Sequence, residues 1–122
     1  MTEDQAVLTA VNWWGVQIRE KVTEQQLSNF RSKLEEFIYS EIATDLAYGY
    51  DGASIWLYCY DYPCEILGNA AVQSGFSKTI FPRRIDMRIE SFDGGNHYDV
   101  TVYDEFERRH KNLCLADKES EE

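Results

Sequence analysis

Apolar residues recur every three to four positions at the start of the chain. Val7, Val11, Trp14, Ile18 and Val22 fall on one stripe, which predicts an amphipathic helix from about Glu3 to Lys21. Thr2 and Gln5 stand three apart at its start, where each side chain can satisfy a backbone N–H of the first turn. Trp13 falls off the stripe; it is expected to pack under a neighbouring element, the alternative being an exposed anchor. A second such box, Thr23 and Gln26, opens a second helix whose core face is Leu27, Phe30, Leu34, Phe37, Ile38 and Ile42. Glu41 and Asp45 interrupt that face. Like charges four apart repel, and acids in the last turns oppose the helix dipole. Local stability does not select them, so they are candidate interaction residues.

The period then changes from 3.6 to 2. Ser54 to Tyr60 reads as a strand, preceded by the turn-rich Tyr48-Gly49-Tyr50-Asp51-Gly52 and ended by Asp61-Tyr62-Pro63. A third helix starts near Pro63, carries Ile66, Leu67, Ala70 and Ala71 inward, and stops at Gly75. Phe81-Pro82 lies in a connection. Ile85, Met87 and Ile89 alternate with Asp86, Arg88 and Glu90, and Tyr98, Val100 and Val102 alternate with Asp99, Thr101 and Tyr103. Asp93-Gly94-Gly95-Asn96 between them is a hairpin turn. A short charged helix or tail follows, with Asp117 to Glu122 expected to fray. The expected fold is a single α+β domain over residues 1–122, of order ααβαββ. It has a three-stranded, mainly antiparallel sheet with helices packed on one face.

Clean alternation in the last two strands implies that one sheet face meets water. By period 2, Ile55, Leu57 and Cys59 face the helices, and Trp56, Tyr58 and Tyr60 share the other face with Asp86, Arg88, Glu90, Asp99 and Tyr103. That face is either an aromatic platform or is covered by a further helix.

Charge sharpens this picture. The chain has 22 acids and 12 bases, a formal net charge of -10, which disfavours nucleic acid and anionic membranes as direct partners. From Leu34 to Ser77 there are seven acids and no Lys or Arg. Within this segment, "YGYDGASIWLYCYDYPCE" concentrates five tyrosines and a tryptophan. Aromatic faces that stack bases sit in basic surroundings, so protein recognition fits better. The candidate partner-binding residues are the acids Glu35, Glu41, Asp45, Asp51, Asp61 and Glu65, with Tyr48, Tyr50, Trp56 and Tyr58 as anchors.

Signatures of phosphate-binding loops, dinucleotide folds, zinc proteases and serine hydrolases are all missing from the sequence. Cys59, Cys64, His97 and Cys114 lack the paired spacing of a zinc site, so neither metal nor cofactor is expected. Cys64 is the best nucleophile candidate, because a helix start can stabilise a thiolate. No catalytic role is assigned to it, since no base is placed near it by spacing. His97 beside Asp99 reads as a surface polar pair. The opening residues show no signal peptide, and no apolar run is long enough to span a membrane; reduced thiols and a cytoplasmic setting are expected.

"AVNWWGVQI" and "FPRRIDMRI" resemble segments of small uncharacterised proteins of phages and other mobile elements in gut bacteria. Those proteins often carry WWA in the first helix and FPWKT before the last strands. This chain departs from them at Arg83 and Arg84. The resemblance implies a setting of anti-defence proteins in a bacterial host's cytoplasm, where anti-CRISPR proteins and restriction inhibitors are commonly small, acidic and non-catalytic. On that footing the expected function is inhibition of a host nuclease or its effector complex, with carboxylates standing in for phosphates on a basic groove. An immunity protein against a basic toxin, a small enzyme using Cys64 and an acidic housekeeping domain are the alternatives. The oligomeric state is left open.

Overall fold

The computed structural model describes residues 1–49, 52–105 and 107–113. Within them, α1 (Glu3–Ile18), α2 (Glu24–Ala47) and α3 (Glu65–Gln73) pack on one face of an antiparallel sheet. Its strands are β1 (Ser54–Cys59), β2 (Ile85–Phe92), β3 (His97–Asp104) and β4 (Arg109–Asn112), neighbours in that order. Both capping boxes form: the Thr2 and Thr23 hydroxyls accept from the amides of Gln5 and Gln26, and the glutamine side chains accept in return from the threonine amides. The first helix ends at Ile18 rather than Lys21, so Val22 lies in the turn between the helices and is only half-buried.

The core follows the two periods. Val7, Val11, Trp14 and Ile18 of α1 meet Phe30, Leu34, Ile38 and Ile42 of α2, above Ile55, Leu57, Met87, Ile89, Val100 and Val102 of the sheet. Leu27 and Phe37 are only partly buried, at the margin of this core. Trp13 packs edge-on against Trp14, with ring centroids 4.9 Å apart, and remains half-buried. Gly75 follows the last residues of α3 at φ 87°, the left-handed conformation that a helix stop favours and that glycine adopts without strain.

The sheet has four strands, not three. Arg109–Asn112 reads as a charged tail because all four side chains are exposed and carry no β pattern. Backbone demand makes it a strand: β3 presents a second row of N–H and C=O groups, and the chain folds back to pair Thr101 with Asn112 and Asp104 with Arg109. The row of cations then sits on an edge, where charge discourages further strands from adding.

The opposite edge is blocked by other means. Ser91 donates its backbone N–H to Ala53, so alternate residues of β1 pair with β2 and those between them point their backbone groups outward. Asp45 Oδ2 accepts from the outward Ser54 N–H at 3.0 Å, and the Cys64 N–H donates to the outward Tyr58 carbonyl at 2.8 Å. Asp45 therefore has a structural task, which corrects the expectation that it serves interaction alone. Asp45→Ala should cost about 1 kcal/mol and lower the melting temperature by roughly 3–5 °C. Glu41→Gln, which alters an exposed side chain, should leave melting unchanged. Calorimetry of the two variants checks this; equal melting curves would remove the structural role of Asp45.

Candidate protein-binding surface

The three helices cover one sheet face and leave the other to solvent. Register places its side chains in rows across the strands. Ser54 stands opposite Glu90, and Glu90 opposite Asp99; Trp56 is opposite Arg88, and Arg88 opposite Thr101. Tyr58, Asp86, Tyr103 and His110 form the next row across all four strands. Trp56, Tyr58 and Tyr60 are 52%, 38% and 41% exposed, and no helix among the described residues covers the platform. Phe92 is also exposed on this face, with its ring 6.2 Å from that of His97.

Contacts organise the face. The Arg88 guanidinium carbon lies 4.4 Å from the centroid of the Trp56 ring, and an Arg88 nitrogen lies 3.6 Å from Asp86 Oδ2. The Trp56 indole N–H donates to the Ser54 hydroxyl at 3.0 Å. Tyr60 donates its hydroxyl to Asp86 Oδ2 at 3.3 Å, while Asp86 Oδ1 is buried with no donor among the described residues. Burial, then the charge of Asp86, pushes the Tyr60 phenol above its ordinary value. The Tyr103 and His110 rings pack against each other, tilted by 33°, with centroids 4.5 Å apart. Between these groups lies an open hollow of about 470 Å³, lined by Tyr60, Asp86, Arg88, Glu90, Thr101, Tyr103 and His110. His97 and Asp99 form the expected surface pair, Nε2 to Oδ1 at 3.5 Å.

The candidate acids do not converge on this face. Glu35 is exposed on α2 near the α1 junction, where Tyr39 donates to Asp4 Oδ1 at 2.5 Å. That hydrogen bond first, then burial and the charges of Asp4, Glu35 and Glu3, pushes the Tyr39 phenol up to about 12. Glu41 instead faces Glu65 across a shallow groove of about 200 Å³ between α2 and α3, floored by Phe37 and Ile66. Glu65 also sits in the first turn of α3, where the helix dipole favours an acid. Asp61 is exposed in the loop after β1, beside the highly exposed Tyr62. Tyr48 is the C-cap of α2 and is 73% exposed. Tyr50 and Asp51, like Cys114 and the acidic tail, lie outside the described residues. Of the eight candidates among the described residues, Trp56 and Tyr58 alone stand on the open face.

Four ring-bearing contributors to that face, Tyr60, Phe92, Tyr103 and His110, are not among the ten candidates. Tyr60 and Phe92 carry the same period-2 signal as Tyr58 and Glu90 and are legible from it. Alternation places Tyr103 on the face, but it has no chemical signature alone. His110 is legible only once β4 is known, because its neighbour is set by strand pairing.

Arg84 pairs with Glu105 at 3.6 Å and Arg88 with Asp86, so these bases meet acids of the sheet strands and the turn after β3. Among the described residues, no three of His, Cys, Asp and Glu converge as a metal site would require, and no helix is long and apolar enough to cross a membrane.

Cys64 does sit at the N-cap of α3, but its side chain makes no capping hydrogen bond and the residue is buried. Burial pushes its thiol up, outweighing the backbone hydrogen bonds at the helix start that pull it down. The expected thiolate stabilisation is therefore reversed. Cys64→Ser should remain folded, within about 1 kcal/mol of the parent, since serine is a favoured N-cap. Alkylation of Cys64 at neutral pH should be much slower in the folded chain than in denaturant, as peptide mass spectrometry can follow. Rapid labelling of the folded chain would restore Cys64 as a candidate nucleophile. Comparison with protein-family models and with curated proteins yields no match for this chain.

Proposed function

We propose that this chain is a small acidic binding protein that acts by occupying a basic protein surface. The observation that carries the reading is the open sheet face, where Trp56, Tyr58, Tyr60, Phe92 and Tyr103 stand among the carboxylates of Asp86, Glu90 and Asp99. Aromatic side chains that can be desolvated on contact supply affinity, and surrounding charge supplies orientation and association rate. The net charge of -10 directs the choice of partner toward basic surfaces.

The natural target in this reading is the nucleic-acid groove of a host defence nuclease or its effector complex, with the chain as an anti-CRISPR-like inhibitor. The acids Glu41 and Glu65 on the α2–α3 side would add a second, weaker contact along the same groove. The protein needs no cofactor, no metal and no covalent step for this, and it acts in the bacterial cytoplasm.

Affinity capture from a native host lysate with the tagged chain, followed by mass spectrometry, tests the proposal. The expected result is a basic nucleic-acid-binding protein whose nuclease activity falls on titration with the purified chain. Recovery of a partner that neither binds nucleic acid nor loses activity would overturn it.

A further inference from the structure

We infer that the hollow beside Asp86 is a binding site for an arginine side chain presented by a protein partner. The inference rests on the binding role proposed above and names the group that this face recognises. The molecule already shows the mode on itself. Arg88 lies over the Trp56 ring at 4.4 Å and reaches the Asp86 carboxylate at 3.6 Å, so one guanidinium is held by an aromatic face and an acid together. The hollow next to it repeats these ingredients with Tyr60, Tyr103 and His110 as walls and Asp86 and Glu90 as acids. Arg88, the one Lys or Arg among the described residues that line it, lies over the Trp56 ring.

Arginine suits this hollow better than lysine. A guanidinium is planar and can lie against the ring of Tyr103 or of His110, which pack on each other at 4.5 Å between centroids, while its edge donates to carboxylates. The acceptor side is also under-used. Asp86 Oδ2 has only long contacts, 3.3 Å from Tyr60 and 3.6 Å from Arg88, and Oδ1 has no donor among the described residues. A guanidinium in the hollow would offer this carboxylate shorter, charge-assisted hydrogen bonds than the two it has. The charge of the whole chain brings such a donor to the surface.

Titration of the full chain with nona-arginine and nona-lysine peptides at one ionic strength tests this, read by backbone amide shifts and by isothermal calorimetry. Nona-arginine should bind about tenfold more tightly than nona-lysine. Its shifts should centre on Glu90, Thr101 and Tyr103, and Asp86→Asn and Tyr103→Ala should each weaken it about fivefold or more. Arg88→Ala, which frees Trp56 and Asp86, should strengthen it. Equal binding of both peptides, or shifts centred on the α2 acids, would mean general charge attraction and would overturn the site. The shift map on the unmodified chain decides the matter even if a variant fails to fold. If a captured host partner still binds the Asp86→Asn and Tyr103→Ala variants at parental affinity, the hollow is excluded and the binding role stands. Arginine-selective binding at the hollow without any basic host partner would support the site and remove the proposed role.

Discussion

Trp14→Ala should destabilise the fold by about 3–5 kcal/mol, the largest loss expected from any single truncation here. Trp14 is fully buried between α1 and α2, with Trp13 edge-on at 4.9 Å and Phe81 at 6.0 Å. Phe81 in turn touches Phe30 and Phe76, so the cavity would open at the centre of an aromatic cluster. Against a total stability of about 5–15 kcal/mol for a domain of this size, that loss removes a large share. Melting should fall by more than about 10 °C. Trp14→Phe separates volume from hydrogen bonding. The indole Nε1 is buried with no acceptor among the described residues, so phenylalanine gives up no hydrogen bond and relieves an unmet donor. It should cost less than half as much as alanine. Equal losses for the two variants, measured by denaturant titration, would show that the indole nitrogen has a partner after all.

The combined variant Trp56→Ala and Tyr58→Ala should do the reverse, sparing the fold and abolishing partner binding. Both side chains stand on the solvent face of β1 and contribute nothing to the core. Their removal gives up the Arg88 contact and some strand propensity, together about 1–2 kcal/mol. Buried aromatic anchors at protein interfaces are typically worth about 2 kcal/mol or more each, so affinity for the captured partner should fall by several hundred-fold, about 700-fold if the two losses add. Surface plasmon resonance against that partner, alongside a melting curve, checks both halves. A variant that melts well below the parent and still binds when folded would place the interface elsewhere, with the α2–α3 groove at Glu41 and Glu65 as the next candidate.

The acids show why a one-dimensional cluster is a poor guide to a surface. Glu35 and Glu41 are six residues apart on one helix, a little over one and a half turns, so they leave it in different directions. One side chain looks toward α1 and Tyr39, the other toward α3 and Glu65. The base-free segment that looks like a single patch in sequence wraps around the molecule. Asp45 shows the converse. Its placement looks unfavourable by every local rule, and its reason is a backbone N–H nine residues later.

What the sequence by itself determined are the features carried by short-range periodicity. Two capping boxes, two helical stripes, the glycine stop after α3 and the β2–β3 hairpin each depend on residues within a few positions of one another. The division into Ile55, Leu57 and Cys59 of β1 below and Trp56 and Tyr58, with Tyr60 just beyond the strand, above follows from the same alternation. Tertiary structure alone decided the rest. β4 exists because β3 had unpaired backbone groups to offer, and not because Arg109–Asn112 favours a strand. The openness of the aromatic face depended on all three helices packing on the opposite side, and its hollow joins Tyr60, just after β1, with Asp86, Tyr103 and His110 from β2, β3 and β4. Such a site has no local signature, because each residue acquires its neighbours only through the register of strands far apart in the chain.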